Sequence, residues 1–279
     1  MIESASVVFL QLQKTGCTHA ERLLRTHLGA TGDAKHRPLA RGWRRDGRLV
    51  LGGVRNPWDW YVSFFAYGCE RRGGITDEYL IADGFTRPRL RMARGRLRNV
   101  PAPTLASGAP ALLVHEARHR AAPWADLLDD ARDVDKFRRF LARLLDPGSR
   151  FASAMDYGFS PHADRIGLFS YLYLLLYLRE RHNLFRPGGP VAAGGAALDA
   201  ALVVDRFLPM ERLEAALAEA LEAAGETVAA NAVTAQMGQD RSNASKSRES
   251  DYRIYYDDET RDLVADRERL IIDRHGYEF

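Results

Sequence analysis

Cysteine is scarce in this chain: Cys17 and Cys69 are the only two among 279 residues. Two thiols make neither a disulfide framework nor a structural zinc site, and their scarcity suits a reducing compartment. Long apolar runs are missing as well. The most apolar stretch, Ile166 to Leu178, is too short to span a bilayer and is rich in tyrosine, so it reads as a buried helix and no membrane insertion is expected. No signal peptide is expected either, because an apolar strand near Met1 runs at once into a charged loop; the expectation is a cytoplasmic protein. Charge of one sign is barely in excess, with a formal net charge of +3. A Walker A loop is absent: the Gly-x-x-x-x-Gly-Lys-Ser/Thr pattern does not occur, and ATP hydrolysis is not indicated. No set of His, Cys and Asp stands at ligand spacing, so no metal is expected; Asp156, His162 and Asp164 are merely close in sequence.

Arginine does cluster. Arg37, Arg41, Arg44, Arg45 and Arg48 form one run, and Arg87, Arg89, Arg91, Arg94, Arg96 and Arg98 another. Such runs read first as solvated faces and, if functional, would suit an anionic acceptor. Nucleic acid is not an expected partner, since no helix-turn-helix, zinc finger or aromatic RNA-binding signature accompanies them.

The most informative stretch is Val7 to Leu24, VVFLQLQKTGCTHAERLL: an apolar strand, a Lys14-Thr15-Gly16-Cys17-Thr18 turn, then an amphipathic helix. Backbone N–H groups in such a turn and the positive end of the helix gather around a phosphate-like group, and Lys14 adds a full charge. A second unit follows, with a strand at Leu49 to Val54, Arg55-Asn56-Pro57, and an aromatic helix from Trp58 to about Tyr67. Strands alternating with helices predict a doubly wound α/β fold with a parallel sheet, in which both loops face the crevice at the strands' carboxyl ends.

Further along, residues 83 to 125 are rich in Arg, Pro, Gly and Ala and read as irregular. Helical patterns return at Val134 to Leu145 and Ile166 to Arg181; Arg186 to Ala197 reads as a flexible loop, and Ala201 to Val204 as a strand. Helices are expected at Leu213 to Ala224 and from about Asp258 to Arg274, the latter stopped by Gly276. One main domain is expected over 1–279, with an irregular or helical insertion at about 83–165, and no internal repeat is visible.

These segments resemble the sulfotransferases that use 3′-phosphoadenosine 5′-phosphosulfate (PAPS). Lys14-Thr15-Gly16-Cys17-Thr18 resembles that family's 5′-phosphosulfate loop, and Val54-Arg55-Asn56-Pro57, with Ser63 eight residues after Arg55, resembles its 3′-phosphate motif. Phe207 to Leu213 (FLPMERL) resembles its Arg/Phe-Glu-x-Leu segment, Val134 to Leu145 its Phe-x-x-Phe-Leu helix, and the tail from Asn243 to Phe279 the C-terminus of bacterial and carbohydrate-type members. Gln13 stands where the family usually has proline, and Cys17 where glycine or a hydroxyl residue is usual.

The resemblance implies a P-loop NTPase-like three-layer α/β/α fold with a central parallel sheet and helical insertions. It implies sulfonate transfer from PAPS to a hydroxyl or amine of a small-molecule or glycan acceptor, leaving 3′-phosphoadenosine 5′-phosphate (PAP). Lys14 would stabilise the leaving phosphate, Thr15 to Thr18 would hold the 5′-phosphate, and Arg55 and Ser63 the 3′-phosphate. Ser245 and Lys246, with Arg241 and Asn243, would close over the nucleotide. His36, which follows Lys35, would be the general base, its ordinary pKa near 6.5 suiting proton acceptance at neutral pH; His19, His115, His119 and His162 are rivals. Two other readings stay open: a P-loop-like kinase of a small metabolite, and a non-catalytic nucleotide or polyanion binder. Oligomeric state is not legible.

Overall fold

The computed structural model describes residues 1–32, 35–40, 42–72, 97, 98, 100–121, 124–151, 155–237 and 247–279. In chain order the elements used below are β1 (Ile2–Glu3), β2 (Val7–Leu10), α1 (Cys17–Leu28), β3 (Leu49–Val54), α2 (Pro57–Cys69), α3 (Ala102–Ala121), α4 (Val134–Leu145), α5 (Met155–Gly158), α6 (Leu168–Tyr177), α7 (Pro190–Ala193), α8 (Gly195–Ala201), β4 (Arg206–Pro209), α9 (Leu213–Ala223), α10 (Thr227–Ala235), α11 (Asp258–Arg267) and α12 (Arg269–His275). The chain is α/β and divides into two compact units. Among the described residues, no helix is long and apolar enough to cross a membrane.

The first unit comprises the described residues of Met1–Asn56, Leu172–Arg179 and Ala201–Ala244. Its sheet has the order β1-β2-β3-β4, with β2, β3 and β4 parallel and β1 antiparallel to β2. The expected parallel sheet is found over β2, β3 and β4, and β1 makes the whole a mixed one. Strands β2 and β3 are apolar on both faces because both faces are covered. On one face Phe9, Leu51 and Leu208 pack with Leu23 and Leu24 of α1 and with Leu217 and Leu221 of α9. On the other, Tyr177 donates from its hydroxyl to Gly53 O (2.7 Å), and Tyr173 stacks on Phe207 with ring centroids 5.3 Å apart. The parallel register sets Leu10 beside Gly52 and Val54 beside Pro209, so the loops after β2, β3 and β4 leave the sheet at the same edge.

The second unit comprises the described residues of Pro57–Tyr171, Glu180–Ala200 and Ser245–Phe279. Its core is aromatic: Trp60 of α2 lies between Phe64 (5.0 Å) and Phe169 (4.5 Å), both stacked on it. Trp60 and Phe64 of α2 are thus core. Helix α4 begins where Asp133 accepts from Lys136 N at 2.8 Å, and its heptad-like apolar face buries Phe137, Phe140, Leu141 and Leu144.

Four expectations are corrected. Within the stretch read as irregular, residues 102–121 form α3 in spite of Pro110; most of the remainder lies outside the described residues. The stretch read as a flexible loop holds α7, which Pro190 starts at its first turn, and the beginning of α8. The strand expected at 201–204 is a single bridge, Leu178 with Leu202, and the true strand β4 follows at Arg206. The final helix is two, α11 and α12, parted at Glu268, and Gly276 ends the second with φ 65° as expected.

Candidate functional site

The loop after β2 carries the first group of predicted residues. Its backbone alternates in sign: Lys14 has φ 61°, Gly16 has φ 73°, and Thr15 between them is not in the positive region. Alternation of this kind turns successive N–H groups to one side and forms an anion-binding concavity. Helix α1 starts directly after it, with no acidic residue in its first turn and no side-chain cap. Its N-terminal dipole adds to the same positive potential. Glycine is required at 16, because the residue is left-handed and a Cβ there would collide with Met210 Sδ and Leu213 Cδ2. Gly53 of β3 lets the loop sit down on the sheet, since a Cβ there would overlap Thr15 Oγ1.

Each predicted residue has a definite place. Thr15 is fully buried, and its hydroxyl donates to Leu12 O at 2.9 Å. Its hydroxyl fixes the loop to its own backbone. Thr18 is exposed on the first turn of α1, and its hydroxyl accepts from Lys35 Nζ at 3.3 Å. Cys17 is buried, and burial pushes its thiol above the usual value despite the nearby lysines Lys35 and Lys14. A raised thiol pKa leaves Cys17 less thiolate than a helix-start cysteine otherwise carries, and its side chain packs in the core.

Arg55 is 6% exposed, and its Nη1 donates to Lys14 O at 2.9 Å. The arginine of the second motif is thus bonded to the backbone of the first. Beside it, Asn56 N donates to Glu211 Oε1 at 2.7 Å, so the loop after β4 reaches the same place. Three loops from three parallel strands therefore meet where an open α/β sheet binds ligands.

His36 has φ 57°, and its Nδ1–H donates to Gln11 O at 2.8 Å. A carbonyl only accepts, so Nδ1 carries the proton and the neutral ring keeps a lone pair on Nε2. The residue is exposed as a whole while its ring is turned in toward the loop. That burial pulls its pKa below 6.5, the Gln11 bond pulling the other way and the Lys35 charge reinforcing the drop. Left-handed backbone costs a non-glycine residue roughly 1–2 kcal/mol and gathers at functional sites. Among the described residues only Lys14, His36 and Arg71 of the non-glycines adopt it, and two of those three are candidates here.

Ser63 lies in the second unit, buried on α2 at 4% exposure. Arg241, Asn243, Ser245 and Lys246 lie outside the described residues. Of the rival histidines, His19 pairs with Glu214 at 2.8 Å and His162 is buried with a lowered pKa through desolvation; the side chains of His115 and His119 lie outside the description. Two arginines of the first run are held in ion pairs, Arg45 with Asp205 and Arg48 with Asp46 and Glu3. Among the described residues no group of His, Cys, Asp and Glu could hold a metal ion.

Sequence reasoning missed Gln11 and Glu21. Gln11 is fully buried directly after β2 and donates from Nε2 to Glu21 Oε2 at 2.8 Å. Its signal was an amide ending an otherwise apolar run; that of Glu21 was the i,i+4 spacing to Arg25, whose Nε lies 3.0 Å away. Comparison of the chain with family models, with curated proteins and with solved structures gives no match.

Proposed function

We propose that this chain is a PAPS-dependent sulfotransferase on a P-loop-like three-layer α/β/α plan, acting on a hydroxyl or amine of a small-molecule or glycan acceptor. The observation that carries the reading is the hydrogen bond from Arg55 Nη1 to Lys14 O at 2.9 Å, because it joins the two anion motifs at one loop. The donor has two anionic ends, and a fork-shaped guanidinium beside a backbone concavity fits that demand better than a single phosphate cradle.

When bound, PAPS supplies an activated sulfonate whose S–O bond to phosphate breaks as the acceptor's O–S or N–S bond forms, the electron pair passing to PAP. The chain's residues hold and orient that exchange. The 14–18 backbone and the start of α1 bind the phosphate being released, and the Lys14 ammonium offsets its growing charge. Arg55 binds the far phosphate. His36 Nε2 takes the acceptor's proton, and its lowered pKa keeps it unprotonated at neutral pH. Catalysis on this account is mostly positioning and charge, as in phosphoryl transfer.

The test is transfer from PAPS to a panel of sugar, phenol and amine acceptors by wild type and Lys14→Ala. Release of PAP matched by sulfated acceptor, reduced about 100-fold or more in Lys14→Ala, is expected. Phosphoryl transfer from ATP would make the protein a kinase, and PAP binding without transfer to any acceptor would make it a non-catalytic binder.

A further inference from the structure

Four polar residues close a ring around the base of the loop. Gln11 accepts from His36 Nδ1 at 2.8 Å through its carbonyl, and donates to Glu21 Oε2 at 2.8 Å through its side chain. Glu21 Oε2 also lies 3.3 Å from Lys35 Nζ, and Lys35 is the residue before His36. Lys35 Nζ in turn lies 3.3 Å from Thr18 Oγ1 at the start of α1. Of the four, only Gln11 is fully buried, so it is the fixed point, and the 35–36 turn hangs from it by two arms. One arm is the His36 ring bond, and the other runs through Glu21 to Lys35.

We propose that Glu21 is a positioning residue for the proposed transfer. It touches no reacting atom, but through Lys35 it holds the 35–36 turn so that His36 keeps Nδ1–H on Gln11 O and presents Nε2, while Lys35 stays beside Thr18. The assignment rests on the sulfotransferase reading only for the consequence for rate; the geometry of the ring stands apart from it. The left-handed backbone of His36 makes such a tether necessary, since an untethered turn would relax to commoner φ values. Glu21 is suited to the part because the hydrogen bonds from Gln11, Arg25 and Lys35 outweigh the burial that would raise its pKa, and it remains a carboxylate. Arg25 shares Glu21 but not the turn, being bonded instead to Ala30 O and Gly32 O.

The experiment reads the His36 tautomer by 15N and 13C NMR of the full chain, in wild type, Glu21→Gln and Arg25→Ala, with PAP affinity and transfer measured on the same samples. Wild type and Arg25→Ala should hold His36 as the Nδ1–H tautomer, and Glu21→Gln should shift it toward the Nε2–H form. Turnover should then fall about 10- to 100-fold in Glu21→Gln, with KM for the donor little changed. An unchanged tautomer in Glu21→Gln overturns the positioning role whatever the activity. A shifted tautomer in a protein that neither binds PAP nor transfers sulfonate leaves the ring in place and overturns the functional reading alone. A fall in melting temperature common to both variants, with the tautomer intact, would mark Glu21 as merely structural.

Discussion

Helices α1 and α6 start in opposite ways, and the contrast separates a site from a scaffold. The first turn of α6 is occupied by the protein's own carboxylate: the fully buried Glu268 accepts from Phe169 N at 3.1 Å, from Ser170 N at 2.8 Å, from Ser170 Oγ at 2.6 Å, and from the Tyr61 hydroxyl. An anion at a helix N-terminus is what the dipole favours, and here the carboxyl is internal. Helix α1 has no acid in its first turn and no side-chain cap; at its loop the Thr15 hydroxyl and Arg55 are turned to the loop's own backbone, and Glu211 accepts from Asn56 N. One terminus holds its carboxylate as part of the fold, and the other, on the proposed reading, receives the donor's phosphate.

The largest effect should come from removing the internal anion. Glu268→Ala strands four donors in a dry interior and should cost roughly 3–5 kcal/mol in urea denaturation; a loss below about 1 kcal/mol would end the contrast. The same residue sets a pH dependence. Burial holds its carboxyl above a glutamate's usual 4.5, though the bonds from Ser170, Tyr61 and Phe169 pull it back. Folding therefore favours the protonated form: the group's contribution is complete below 4.5 and is lost as pH rises through the higher folded value. Wild type should gain on Glu268→Gln as pH falls through that raised value to 4.5, and parallel stability curves across that range would contradict this.

A smaller effect is expected where the loop meets the sheet. Gly53→Ala must push Thr15 off β3, costing about 1–3 kcal/mol as other overpacked sites do, and it should weaken PAP binding in calorimetry as well. Next, Thr18→Asp gives α1 the carboxylate that α6 already has. It should stabilise the fold by about 0.3–1 kcal/mol while lowering PAP affinity about tenfold or more, an exchange of binding for stability that a merely structural loop would not make. The smallest effect belongs to Cys17→Ser, which should leave PAP affinity unchanged, with wild-type Cys17 resisting alkylation because burial raises its thiol pKa.

The same contrast explains what the sequence made legible. The bounds of β3 and α4 follow from it directly, because an apolar run between charged residues and Arg-Asn-Pro has few alternatives, and Asp133 caps a strongly amphipathic helix. The break between α11 and α12 is not visible in it, since Glu268 leaves helical periodicity to serve a helix start ninety-odd residues away in the chain. β4 was misplaced because Ala201 to Val204 is the more apolar run, while the strand pairs through Arg206 to Pro209, where only Leu208 is fully buried. In the site, charged residues at a strand end were readable one by one. What was not readable was how they are tethered: Arg55 to a carbonyl, Thr15 to a carbonyl, and His36 to Gln11.

The central claim is that the uncapped start of α1 and the buried Arg55 make one site for a nucleotide with two anionic ends. The most direct test is calorimetric titration with PAP, ATP and ADP of wild type and Arg55→Lys, which keeps the charge and loses the fork. The account predicts PAP bound more tightly than ATP or ADP, and a loss of about tenfold or more in Arg55→Lys. Preference for ATP, or no binding of PAP by a folded wild-type protein, would contradict it.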